Sequence, residues 1–154
     1  MTLPKYKKGF TLIEILLVVA ILSILLVVVF AALNPAQRLT DTRNARRWND
    51  VNQTLTALHE CIIDNSLATC GLGTTVALSQ IGSCASAGAT PCTGAADACL
   101  NLDGDTDLDP YLASFPVDPT DPGAGKTGYA VTVANGIVTV SACNAEGTTV
   151  SVSR

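Results

Sequence analysis

The chain turns from polar to apolar at Lys7-Lys8-Gly9-Phe10-Thr11-Leu12-Ile13-Glu14. Two lysines close a short basic segment, a glycine follows, and an apolar run begins in which Glu14 is the one charge. From Ile15 to Leu33, 19 consecutive residues are apolar except for Ser23. Counted from Phe10 the segment has 24 residues, about 36 Å of α-helix at ~1.5 Å per residue, which crosses a ~30 Å hydrocarbon core. Leu, Ile and Val dominate it, and no Gly or Pro interrupts it, whereas a buried core helix rarely needs so long an apolar run. A carboxylate near its start is costly in lipid, and ionisable groups in membrane spans mark function by default. A secretory signal places its apolar region before the cleavage point. Here the glycine precedes the apolar run, so a cut after it keeps the run in the product.

These residues resemble the N-terminus of type IV prepilins and pseudopilins, closely over the basic segment and apolar run and in outline beyond. The resemblance implies that residues 1–9 are a leader, that a prepilin peptidase cuts after Gly9, and that Phe10 becomes the N-methylated first residue. It implies that Glu14 serves recruitment and assembly, meeting the Phe10 amine of a neighbour in a homo-oligomeric filament. An assembly platform protein and a cytoplasmic assembly ATPase are the further partners implied. The function that follows is a structural subunit, a pilin of a type IV pilus-like filament, and not an enzyme. A pseudopilin of a type II secretion or DNA-uptake system is one alternative. A membrane-anchored binding module that never polymerises is the other, although it would have no use for Glu14.

The flanks set orientation. Lys5, Lys7 and Lys8 precede the span and place its N-terminus in the cytoplasm. Arg38, Arg43, Arg46 and Arg47 follow the span and argue weakly the other way. The expected location is a single-pass membrane protein before assembly and a cell-surface filament after it. Three of the nine basic residues lie in the leader, so the mature chain carries six against thirteen acids, a net of about −7. An acidic exported domain argues against a nucleic-acid partner. The Arg43/Arg46/Arg47 cluster is expected to be a helix surface that pairs with acids of neighbouring subunits.

Beyond the leader, residues 10–35 form the membrane and filament-core helix and 36–154 an exported head. Asn34-Pro35 should kink or open the helix. From 36 to 64 the pattern continues as an amphipathic helix with Ala45, Trp48, Val51, Leu55, Leu58 and Ile62 on one stripe, which needs a cover. Residues 65–127 are rich in Gly, Ala, Thr, Pro, Asp and Cys and read as a loop region. Residues 128–154 read as a small antiparallel sheet. Asn135-Gly136 is a two-residue hairpin turn. It sets Val133 opposite Val138, Val131 opposite Val140 and Tyr129 opposite Ala142 on an apolar face, with Thr148 to Ser153 as a short third strand. The fold class is α+β and pilin-like, the amphipathic half packed against the sheet.

Six cysteines, Cys61, Cys70, Cys84, Cys92, Cys99 and Cys143, lie beyond the membrane, and an even count in an exported chain points to three disulfides. Of the fifteen connectivities that six cysteines allow, short-range pairing favours Cys61–Cys70 and Cys92–Cys99, with Cys84–Cys143 left. Asp103, Asp105, Asp107 and Asp109 alternate as calcium ligands do, but Leu108 stands where the turn glycine belongs and Ser114 where the last acid would be. A solvated acidic loop is the expectation, with calcium the only cofactor considered. Gly125-Lys126-Thr127 imitates a phosphate loop without its earlier glycine, strand or helix. Tyr111-Leu112 and Phe115-Pro116-Val117-Asp118-Pro119 read as an ordered connection with buried aromatics. His59 reads as a helix-surface residue.

Overall fold

The computed structural model describes residues 9–84, 92, 99–120, 122–123 and 125–154. The chain divides into two units, Met1–Leu39 and Thr40–Arg154.

The first unit holds α1, Leu12–Leu33, and the start of α2, Pro35–Asp64. No residue of α1 is buried. Asn34, in the left-handed region at φ 40°, ends α1. Its carbonyl accepts the amides of Gln37 and Arg38, so it also opens α2. Pro35 is the first residue of α2, where its missing N–H costs nothing. The break expected at Asn34-Pro35 is therefore a change from one helix to the next within a single linkage.

In the second unit, α2 packs on a five-stranded sheet. The strands are β1 (Val76–Gly82), β2 (Cys99–Asn101), β3 (Tyr129–Ala134), β4 (Ile137–Ala142) and β5 (Ser151–Ser153), in the order β2-β1-β3-β4-β5. The hairpin has the expected register: Tyr129 faces Ala142, Val131 faces Val140, and Val133 faces Val138. Asn135 at φ 53° and Gly136 at φ 78° supply the two positive φ angles of the turn. Tyr129, Val131, Val133, Val138 and Val140 are buried and join Val51, Leu55, Leu58 and Cys61 of α2 in one core. β5 pairs with β4 as the expected third strand.

Two expectations are corrected. The region 65–127 is not simply a loop, since it contributes β1 and β2. The sheet is mixed, not purely antiparallel, because β1 and β2 run parallel with Gln80 opposite Cys99. β1 takes a central place between β2 and β3, with a register shift between Val76 and Ser79. Gly82 is needed there: a Cβ would lie 2.1 Å from the Gly125 carbonyl oxygen.

The stripe on α2 is also corrected. Val51, Leu55 and Leu58 are buried, but Ala45 is exposed and Trp48 is 41% exposed. In the first turns of the second unit the buried face is polar instead, made of Asn44, Arg47 and Asp50. Carboxylates supplied by two later segments turn that face inward, as described below. The connection after β2 is ordered by Leu102, Leu108, Leu112 and Phe115, all in the core, and Tyr111 donates its hydroxyl to Asp64 at 2.8 Å.

Candidate functional site

The first site is at the start of α1. Thr11 is the N-cap and Glu14 the third residue of the helix, and together they form a capping box. The Glu14 carboxylate accepts the Thr11 amide at 2.8 Å and the Thr11 hydroxyl at 2.9 Å, and the Glu14 amide donates to Thr11 Oγ1 at 3.3 Å. The carboxylate thus satisfies orphan donors of its own helix and sits at the positive end of the helix dipole. The signature was visible as Thr-x-x-Glu, and the sequence reading assigned Glu14 without Thr11. Gly9, Phe10, Thr11 and Glu14 line one open hollow at this end. Phe10 is 85% exposed. A Cβ on Gly9 would meet no described atom within 4 Å, and its φ is not among the positive ones.

The second feature is a buried polar network in the head. Arg47 is fully buried and donates from Nε and Nη2 to the two Asp118 oxygens at 2.7 and 3.0 Å. Its Nη1 donates to Asn44 Oδ1 at 2.9 Å and to Glu146 at 3.2 Å. Arg43 completes the set with two 2.6 Å bonds to Glu146. Such two-pronged, charge-assisted bonds fix geometry as well as energy. Thr120 donates its amide and hydroxyl to Asp118, and Asn44 Nδ2 donates to the Glu146 carbonyl. Three remote segments, α2, the connection before β3 and the turn after β4, are thereby joined through one guanidinium. The arginines were expected to pair with neighbouring subunits. Arg43 and Arg47 instead pair within the chain, and Arg46 lies 3.7 Å from Asp50 one turn on. From sequence Asp118 stands out only as part of the ordered connection 115–119 and Glu146 not at all, since no local pattern marks either as an arginine partner.

The electrostatics follow from these contacts. Burial alone would raise the Asp118 pKa, but hydrogen bonds from Arg47 and Thr120 outweigh it and hold the carboxyl below its ordinary range. Hydrogen bonding from Arg43, with Arg47 adding to it against a smaller desolvation effect, lowers Glu146 to about 2. Burial, then donation to Asp50 at 2.6 Å, raises the Tyr129 hydroxyl well above its ordinary value. Gly128 is required beside this network, since its φ is +80° and a Cβ would lie 2.6 Å from Asp118 Cβ.

The remaining sequence features fall as follows. Among the described residues no three His, Cys, Asp or Glu side chains gather as a metal-binding group. Two of the alternating acids shape turns: Asp105 Oδ1 accepts the Asp107 amide, and Asp103 Oδ1 accepts the Phe115 amide. Gly125-Lys126-Thr127 stitches the chain to β1, with the Thr127 amide and hydroxyl both donating to the Ile81 carbonyl. His59 is half-buried on α2.

The disulfides are Cys61–Cys70, Cys84–Cys99 and Cys92–Cys143. The first is the pairing expected. The other two correct Cys92–Cys99 and Cys84–Cys143. The reason is the parallel pair, which sets the beginning of β2 beside the end of β1, close to Cys84. Cys143, just past β4, lines a second hollow together with Cys92 and Leu78.

Residues 4–30 match the family model of the prokaryotic N-terminal methylation motif, the signature of type IV pilins and pseudopilins. That stretch contains Gly9, Phe10, Thr11 and Glu14 and most of α1. Searches of curated proteins and of solved structures returned no match. The motif points to a structural subunit of the pilin or pseudopilin kind, and implies a prepilin peptidase and filament assembly in general. The apolar helix fits membrane anchoring before assembly.

Proposed function

We propose that this chain is a subunit of a type IV pilus-like filament, cut after Gly9, methylated at Phe10 and exported with its N-terminus toward the cytoplasm. The observation that carries the reading is α1, a 22-residue, nearly all-apolar helix with no buried residue. So much apolar surface requires cover. Lipid supplies it before assembly, and the α1 segments of other copies supply it afterwards. Before assembly Glu14 is held by the Thr11 cap. In the filament it pairs with the methylated amine of Phe10 on the adjacent subunit, since a charge removed from water needs a partner. The head, closed by three disulfides and the Arg47 network, forms the outer surface. A cytoplasmic ATPase and a membrane platform drive extraction. Chemical cross-linking in intact cells tests the assembly reading. Copies carrying both Leu17→Cys and Val28→Cys, one thiol for each of two neighbours, should yield ladders of many subunits with a bifunctional thiol reagent, and a chain that stays monomeric under the same conditions overturns it.

A further inference from the structure

We infer that this chain needs a thiol–disulfide exchange catalyst to reach its native pairing. Cys61–Cys70 joins neighbours in the cysteine order, 9 residues apart. The last four cysteines are crossed: Cys84 pairs with Cys99 across 15 residues, and Cys92 pairs with Cys143 across 51. Each bond therefore passes over a cysteine that belongs to the other. Cys84 and Cys92 are only 8 apart in sequence, and Cys92 and Cys99 only 7, so both non-native closures are shorter than either native one. Because closure probability falls as roughly the 3/2 power of loop length, an eight-residue closure is favoured about 2.5-fold over the 15-residue one and about 16-fold over the 51-residue one.

Order of arrival adds to that bias. For the order in which cysteines meet an oxidant, the inference rests on the exported-subunit reading. With the N-terminal helix in the membrane, Cys84 and Cys92 are outside before Cys99, and Cys143 comes last. Oxidation in that order makes Cys61–Cys70 correctly, but then Cys84–Cys92 and Cys99–Cys143, both wrong. Cys99 is brought beside Cys84 only after β2 has paired with β1, because Cys99 begins β2 and Cys84 lies just past β1.

Recovery is a redox-neutral exchange. A catalyst thiolate attacks Cys84 of the Cys84–Cys92 bond, forming a mixed disulfide and releasing the Cys92 thiolate. That thiolate attacks Cys143 of the Cys99–Cys143 bond, forming Cys92–Cys143 and releasing the Cys99 thiolate. Cys99 then attacks Cys84 of the mixed disulfide, forming Cys84–Cys99 and returning the catalyst thiolate. Cys61 and Cys70 are fully buried and take no part. Cys84, Cys92, Cys99 and Cys143 are half-buried, so the crossed pairs stay within reach of a catalyst in the folded head.

The test is to express the full chain in an export-competent host with and without its envelope disulfide isomerase, trap thiols by acid and alkylation, and map bonds by peptide mass spectrometry. Without the isomerase the crossed pairs should fall to about one third or less of molecules, as the closure bias dictates, with Cys61–Cys70 intact. The Cys84→Ser/Cys99→Ser variant has one pair left outside Cys61–Cys70 and should form Cys92–Cys143 equally in both hosts. Equal yields of the crossed pairs in both hosts overturn the inference, as does isomerase dependence that persists in the double variant. In parallel, reduced full chain in detergent is reoxidised with ferricyanide alone or in a glutathione redox buffer. The crossed pairs should dominate only in the buffer, and their dominance under ferricyanide alone counts against the inference whatever the route of export. Six free thiols in both hosts refute the exported reading itself.

Discussion

Arg47→Met should cost the head several kilocalories, and removing its partner as well should restore most of the loss. Arg47 has no exposed surface and makes two bonds to Asp118, whose side chain is also fully buried. Methionine keeps the apolar stem and deletes the charge, leaving a carboxylate in the core without its counter-ion. Breaking a buried pair in this way costs ~3–5 kcal/mol. Two Thr120 donors stay on Asp118, which places the value at the lower end, ~3 kcal/mol. Against ~0.05–0.15 kcal/mol per residue, the 115-residue second unit holds ~6–17 kcal/mol in all, so the change is large. Arg47→Met/Asp118→Leu removes both charges and should recover at least ~2 kcal/mol, because apolar replacements of buried pairs are often neutral. Trp48 is the only tryptophan and neighbours the site, so its fluorescence in a urea titration of unreduced, detergent-solubilised chain reports the transition. With an m-value of ~1–3 kcal/mol/M, the single variant's midpoint should fall by at least ~1 M. A midpoint unchanged by Arg47→Met, or a double variant no more stable than the single, refutes the claim that this pair locks three segments together.

Acid should act through the same network. Glu146 and Asp118 have folded pKa values below their unfolded ones, so their stabilisation is present above the unfolded pKa and lost as pH falls through the folded one. Melting temperature should hold from pH 7 to pH 5, then fall between about 4.5 and about 2 for Glu146, and Glu146→Gln should flatten that slope. Gly128→Ala forces a Cβ onto Asp118 at a positive φ and should destabilise by ~1–3 kcal/mol; a thermal melt like the parent's contradicts this. Glu14→Gln keeps a carbonyl to accept the Thr11 amide and loses the charge. It should insert and be cut normally yet fail to assemble, and filaments at parental levels by quantitative immunoblot of sheared material count against the pairing with Phe10. A fragment of residues 40–154 should be soluble and monomeric by light scattering once oxidised; persistent aggregation would place α2's buried face elsewhere.

The parts of the fold legible in sequence were those with a local cause. Asn135-Gly136 accepts positive φ at both positions, so one dipeptide sets the register of six residue pairs. The apolar helix α1 announced itself by length and composition. β1 was hidden because its fully buried residues include Gln80 and its end, Gly82, is set by a carbonyl 43 residues on, at Gly125. β2 is too short to show a period. Arg47 was misread because a lysine or arginine on a helix normally faces water, and the acids that draw it inward lie 71 and 99 residues away. The crossed disulfides depend on a parallel strand pair, which spacing between cysteines does not encode. At the N-terminus the reverse held, for Thr11-x-x-Glu14 is a local pattern whose cap was written in four residues.

The account stands most directly on the N-terminus of the assembled protein. Material sheared from the cell surface, inspected by electron microscopy and then analysed by intact-mass and peptide mass spectrometry, should contain filaments of a chain that begins at N-methylated Phe10. A chain recovered only from membranes with Met1 intact, or filaments whose subunit begins beyond α1, would contradict it.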